Sequence, residues 1–208
     1  MASGVDVTPS GAGVEPVGKL SVSDKLAEAQ KLKAIGNEKY KSKLFKQAIG
    51  SYHRALLYLR GVCQTTGSKL GGFIGMLMET NNPDISPEMQ ADVTALQLDC
   101  YNNLAACILQ QEKPNYEKVV MYCDNVLELS PSNVKAMYRR GVAYYHLHNY
   151  DKAHTCLRQA RETKGQEKDP AIDKYLSLCQ RELQKEEKLM KKKYKGMFDK
   201  LSSGDLNT

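Results

Sequence analysis

Gly141-Val-Ala-Tyr-Tyr-His-Leu-His-Asn-Tyr-Asp-Lys-Ala153, with Ala160 one helical face further on, is the stretch that decides the fold. Gly141 and Ala153 stand where two helices of one hairpin must cross closely, and only small residues let the backbones approach. Tyr144 and Tyr145 follow on the packing face, and Tyr150 falls at the turn. The same offsets occur upstream with Gly36, Tyr40, Phe45, Ala48, Tyr52 and Ala55. A third version uses Leu104, Ala105, Tyr116, Val119, Val126 and Pro131, with two extra residues in its turn around Pro114 and Asn115. Pro131 lies ten residues before Gly141, in phase for the next unit to begin.

A helix–turn–helix unit of about 34 residues carrying these small and aromatic positions is the pattern of a tetratricopeptide (TPR) array. The sequence therefore predicts an all-α TPR solenoid of three helix–turn–helix repeats, about 29–62, 98–133 and 134–167, within residues 23–169. Residues 1–22, rich in Gly, Ser, Val and Pro without period, read as a disordered arm. Helical periodicity starts near Ser23 or Asp24, either of which suits a cap. Arg60 replaces the usual helix-ending proline, so the first repeat's second helix is expected to run to about Val62. An insertion over 63–86 ends at Ser86-Pro87-Glu88, where a serine cap, a first-turn proline and an acid signal a helix start. That makes the next helix long, from about Pro87 to Gln110. Asp169-Pro170 opens a C-terminal capping helix over 170–201, with Leu176, Cys179, Leu183, Met190, Tyr194 and Met197 on one face. Such a cap covers the exposed face of a last repeat. Lys188 to Lys195 reads as its solvated continuation, and 202–208 as a disordered tail.

The chain of 208 residues carries a formal charge of +6, a modest excess that does not select nucleic acid. Glu186 and Glu187 interrupt the basic run near its end, and aromatic residues for base stacking are few, so no nucleic-acid partner is expected. The six cysteines, Cys63, Cys100, Cys107, Cys123, Cys156 and Cys179, show no zinc spacing, and most fall inside helical patterns as small apolar residues. With no leader-like apolar stretch at the N-terminus, a reduced, cytoplasmic setting is expected. The most apolar stretch, Leu70 to Met78, has nine residues including three glycines, too short to insert in a membrane. It reads either as a second contact site, since Met-rich surfaces re-pack around varied partners, or as a segment folded back on its own solenoid; folding back is favoured. His146, His148 and His154 cluster near the third turn, with His53 apart, but no carboxylate or cysteine stands at metal-ligand spacing among them. No phosphate loop or nucleophile elbow is present. The chain is thus expected to be non-catalytic, with no cofactor and no metal.

Five polar residues carry the functional reading. Lys33 and Asn37 occupy slots five and nine of the first repeat, Asn103 slot six of the second, and Lys135 and Arg139 slots two and six of the third. Residues four apart share a helix face, and the first helix of each repeat lines the groove of such an array. Each residue alone has a plainer reading: an exposed lysine or arginine, or an amide satisfied by neighbouring backbone. All five in phase across three repeats favour a shared receptor for carboxylates.

This set resembles the dicarboxylate clamp of co-chaperone TPR domains. The resemblance implies a C-terminal Glu-Glu-Val-Asp tail of heat-shock protein 90 or 70 as partner, with Lys33, Asn37 and Asn103 on the terminal carboxylate and Lys135 and Arg139 on the side chain or an adjacent carbonyl. Charge-assisted hydrogen bonds contribute about 1.5–3 kcal/mol each, and ordering a flexible tail offsets much of the sum, so micromolar binding is expected. Ser51-Tyr-His-Arg-Ala-Leu-Leu, Asp99-Cys-Tyr-Asn-Asn-Leu-Ala-Ala-Cys and Tyr138-Arg-Arg-Gly-Val-Ala-Tyr-Tyr resemble the tetratricopeptide repeat protein 9 family over about residues 24–200. Lys193-Tyr-Lys-Gly-Met-Phe is similar to the segment that follows the repeats of large immunophilin co-chaperones. The resemblance implies a stand-alone binding module and no isomerase activity. The competing reading is a scaffold that binds an internal segment of a cytoskeletal or signalling protein through the insertion and groove, leaving room for a second protein partner.

Overall fold

The computed structural model describes residues 20–60, 62, 86–165 and 169–202, with side chains to Lys195. Within them lie seven helices and no strand: α1 (Val22–Lys41), α2 (Phe45–Arg60), α3 (Pro87–Leu109), α4 (Tyr116–Leu129), α5 (Val134–His146), α6 (Tyr150–Lys164) and α7 (Pro170–Ser202). The expectations for the N-terminal arm up to residue 19, for Cys63 and the Leu70–Met78 stretch, and for the tail beyond Ser202 lie outside the described residues.

Caps set the helix starts. Ser21, rather than Ser23 or Asp24, opens α1, because its hydroxyl accepts the Asp24 N–H at 3.1 Å while the Asp24 carboxylate accepts the Ser21 N–H at 3.3 Å. That reciprocal pairing satisfies two orphan donors at once, so Asp24 serves as the box partner and not as the cap. Ser86 caps α3 ahead of Pro87, Asn115 caps α4 and Asn133 caps α5, each accepting a first-turn N–H. α2 stops at Arg60, two residues short of the expected end, although Val62 is still buried.

The helices pair as hairpins α1/α2, α3/α4 and α5/α6, and each hairpin packs on the next through α2 with α3 and α4 with α5. The first and third hairpins share one turn geometry. Lys43 (φ 59°) and His148 (φ 58°) sit in the left-handed region at equivalent positions. Their N–H groups donate to the Tyr40 and Tyr145 carbonyls, and the following residues donate to those of Lys39 and Tyr144. Close crossings hold each pair together. A Cβ on Gly36 would lie 2.6 Å from the Tyr52 ring, and one on Gly141 2.6 Å from Leu157 Cγ.

The core runs as two clusters along the stack. The larger joins Leu32, Tyr52, Leu59, Val93, Leu104 and Val119, and the smaller joins Met137, Leu157 and Ala160 to Ile172, Leu176 and Cys179 of α7. Each large apolar side chain fully buried contributes ~1.5–3 kcal/mol of transfer free energy. Cys100, Cys107, Cys123, Cys156 and Cys179 are buried free thiols within this core. α7 covers the third hairpin only with its first turns. From Gln184 to Lys195 every residue is exposed, including Met190 and Tyr194 of the expected apolar face.

Candidate functional site: a polar groove along the first helices

First helices of successive hairpins touch one another, α1 against α3 and α3 against α5, as does α5 against α7. This gives the solenoid a flank built from first helices alone, and the five sequence-nominated residues all belong to those helices. Lys33 and Asn37 belong to α1, Asn103 to α3, and Lys135 and Arg139 to α5.

Two rungs join α1 to α3. The Asn103 Nδ2 group donates to Asn37 Oδ1 at 3.1 Å. One helical turn earlier, the Lys33 ammonium donates to Asp99 Oδ2 at 2.7 Å. Lys33 and Asn37 are four apart, as are Asp99 and Asn103, so both rungs stand on the same pair of faces. A third link joins α3 to α5, where Arg139 Nη1 donates to Asn102 Oδ1 at 2.9 Å. Lys135 is exposed one turn before Arg139, and no described residue pairs with it.

Asn37 is oriented from behind. The Tyr52 hydroxyl, reaching over from α2, donates to Asn37 Oδ1 at 2.7 Å. With that oxygen engaged by both Tyr52 and Asn103, the Asn37 Nδ2 group is the part left to donate elsewhere. Burial raises the Tyr52 pKa above its ordinary value, the Cys107 and Cys100 thiols add to the rise, and Asn103 opposes it. The phenol therefore keeps its proton and remains a donor.

Two recesses open on this flank, each of about 300 Å³. One is lined by Asn37, Asn103, Tyr52 and Tyr40, the other by Arg139, Tyr138, Tyr116, His146 and Tyr40, so Tyr40 is the wall they share. In the second, Tyr116 and His146 stack with ring centroids 4.6 Å apart. Burial lowers the Arg139 pKa, while neighbouring Cys123 and Tyr40 act the other way. A guanidinium nonetheless stays charged in proteins, so the recess holds a fixed cation. Cys100 and Cys107 lie beneath the rungs with thiol pKa values pushed up to about 12 by burial, which keeps them protonated. Among the described residues no cluster of three His, Cys, Asp or Glu could hold a metal ion, and no helix is long and apolar enough to cross a membrane.

The structure thus places the five nominated residues on three adjacent helices, and it brings Asn37 and Asn103 into direct contact. It also adds three residues to which the sequence reading gave no role at the site. Asp99, Asn102 and Tyr52 supply the partners of Lys33, Arg139 and Asn37. Asp99 had a legible signal, its spacing from Asn103 matching that of Lys33 from Asn37.

A family model described as the tetratricopeptide repeat matches residues 134–164. Tetratricopeptide repeat protein 9C of Xenopus tropicalis is 38% identical over 178 residues, which cover 86% of this chain and 96% of that protein. Among solved structures, the C-terminal TPR-containing domain of a Plasmodium falciparum FK506-binding protein matches with a TM-score of 0.66 at 22% identity, covering 83% of this chain and 99% of that one. The first TPR domain of Spaghetti, bound to the heat-shock protein 90 peptide SRMEEVD, matches with a TM-score of 0.52 at 17% identity, covering 76% of this chain and 94% of that one. At these identities the two structural likenesses speak to the fold.

Proposed function

The chain belongs to the tetratricopeptide repeat protein 9 family, and from that footing we propose that it is a non-catalytic cytosolic adaptor whose groove holds the acidic C-terminal tail of heat-shock protein 90 or 70. A protein–protein interaction module is what the TPR fold provides. The finer reading rests on one observation: cationic and amide side chains from α1, α3 and α5 line one continuous flank of the stack. A tail ending in Glu-Glu-Val-Asp brings two carboxylates on its last residue. Lys33, Asn37 and Asn103 suit the main-chain carboxylate, and Lys135 with Arg139 suits the side chain or a nearby carbonyl. That a domain of the same fold was solved with a peptide ending in Glu-Glu-Val-Asp supports a tail of this kind as the ligand. So does the free Nδ2 group of Asn37, held facing away from Tyr52.

Calorimetric titration with a short peptide ending in Glu-Glu-Val-Asp, beside its C-terminally amidated form, tests the reading. Micromolar binding of the free acid, weakened by amidation and by added salt, is the expected result. Arg139→Ala or Lys33→Ala is expected to weaken it about tenfold or more, the equivalent of one lost contact of ~1.4 kcal/mol. Equal binding of the two peptides, or none, rejects the clamp.

A further inference from the structure

The groove contains an anion of its own. Asp99 stands on α3 with its side chain 58% exposed, and its carboxylate meets the Lys33 ammonium at 2.7 Å. Lys33 is the more enclosed partner, at 27%. The pair repeats the Asn37–Asn103 rung one turn away, so the Asp99 carboxylate lies on the α1–α3 seam where a visiting carboxylate would have to reach Lys33. Arg139 is likewise met from α3, though by the neutral amide of Asn102. α3 therefore presents an internal stand-in to two of the three cations, and only Lys135 has no partner among the described residues.

With the groove read as a carboxylate clamp, on which this step rests, we propose that Asp99 is a built-in competitor for Lys33 that sets the specificity of the groove. A main-chain carboxylate arriving at Lys33 displaces one anion with another and so gains less there than at a cation with no anionic partner. Lys135, and Arg139 once it gives up a neutral partner, gain a new charge-assisted contact from a second carboxylate. The wild-type groove consequently weights the last side chain of its ligand more heavily than the chain end. Neutralising Asp99 shifts that weight back. Because Asp99 is exposed, the effect is modest. Exposed ion pairs of this kind correspond to about a two- to fivefold change in an equilibrium constant.

The test compares the wild type, Asp99→Asn and Asp99→Ala by titration with the Glu-Glu-Val-Asp peptide as free acid and as C-terminal amide. Both substitutions are expected to tighten free-acid binding about two- to fivefold and to change amide binding by less, widening the ratio between the two forms. In a Lys33→Ala background, Asp99→Asn is expected to leave that ratio unchanged. An unaltered ratio in the Asp99 variants, with the wild type still binding the free acid better than the amide, overturns the competitor while leaving the clamp intact. Failure of every variant to prefer the free acid overturns the clamp reading and the competitor with it. Retention of the ratio change without Lys33 shows that Asp99 acts elsewhere and also overturns the proposal.

Discussion

At the scale of single residues, the groove depends on how amides are turned. Asn37 has one oxygen and one NH2 group, and the first is taken by the Tyr52 hydroxyl and by Asn103. Tyr52→Phe keeps the ring against Gly36 and removes only the hydroxyl. Losing that hydrogen bond is expected to cost about 1 kcal/mol of stability in urea unfolding. Weakened positioning of the Asn37 amide is expected to reduce free-acid peptide binding severalfold, with amide-peptide binding changing less. A purely structural role for Tyr52 would lower stability and leave that ratio alone. The placement of the five nominated positions on the first helices was legible because slot within the repeat fixes which helix carries a residue. Their pairings were not. Periodicity tells which residues point the same way, but it takes the register between α1 and α3 to bring Asp99 to Lys33 instead of to solvent, and neither helix carries that register by itself.

At the scale of helices, the hairpin is fixed by close approach. Gly141→Ala puts a methyl 2.6 Å from Leu157 Cγ and 3.3 Å from the Ala153 carbonyl oxygen, so α5 and α6 must move apart. Overpacking of this sort is expected to destabilise by about 1–3 kcal/mol, measured by chemical denaturation. Gly50→Ala, a helical glycine with no atom near its would-be Cβ, serves as the control and is expected to be neutral or stabilising. Helix identity and the Ser86-Pro87 start could be read directly, since a cap followed by a first-turn proline is a local signal. The start of α1 was read late by two residues or so, because Ser23 and Asp24 are both good caps in isolation. What selects Ser21 is the return hydrogen bond from Asp24, a reciprocal feature that single-residue preference does not contain.

At the scale of the molecule, the stack behaves as a line of neighbours, and its far end is covered by α7. Ile172, Leu176 and Cys179 are buried against the third hairpin, whereas the described residues beyond Leu183 are exposed. Truncation after Lys185 is therefore expected to leave the thermal midpoint nearly unchanged. Truncation after Asp169 uncovers Leu157 and Ala160 and is expected to lower it by several degrees, since losing even ~1 kcal/mol shifts a midpoint by a few degrees in a chain of this size. The apolar periodicity of α7, read with a solvated continuation over Lys188 to Lys195, marked its covering part to within about one turn, exposure setting in at Gln184. It could not fix that end more closely, because the third hairpin is shorter than the helix laid across it. The thiols of α3, α4, α6 and α7 have a separate consequence. Each is buried and held protonated by desolvation, so a thiol-reactive reagent finds it only when the packing around it opens. The molecule thus carries native markers, spaced along its length, that report which joint loosens first.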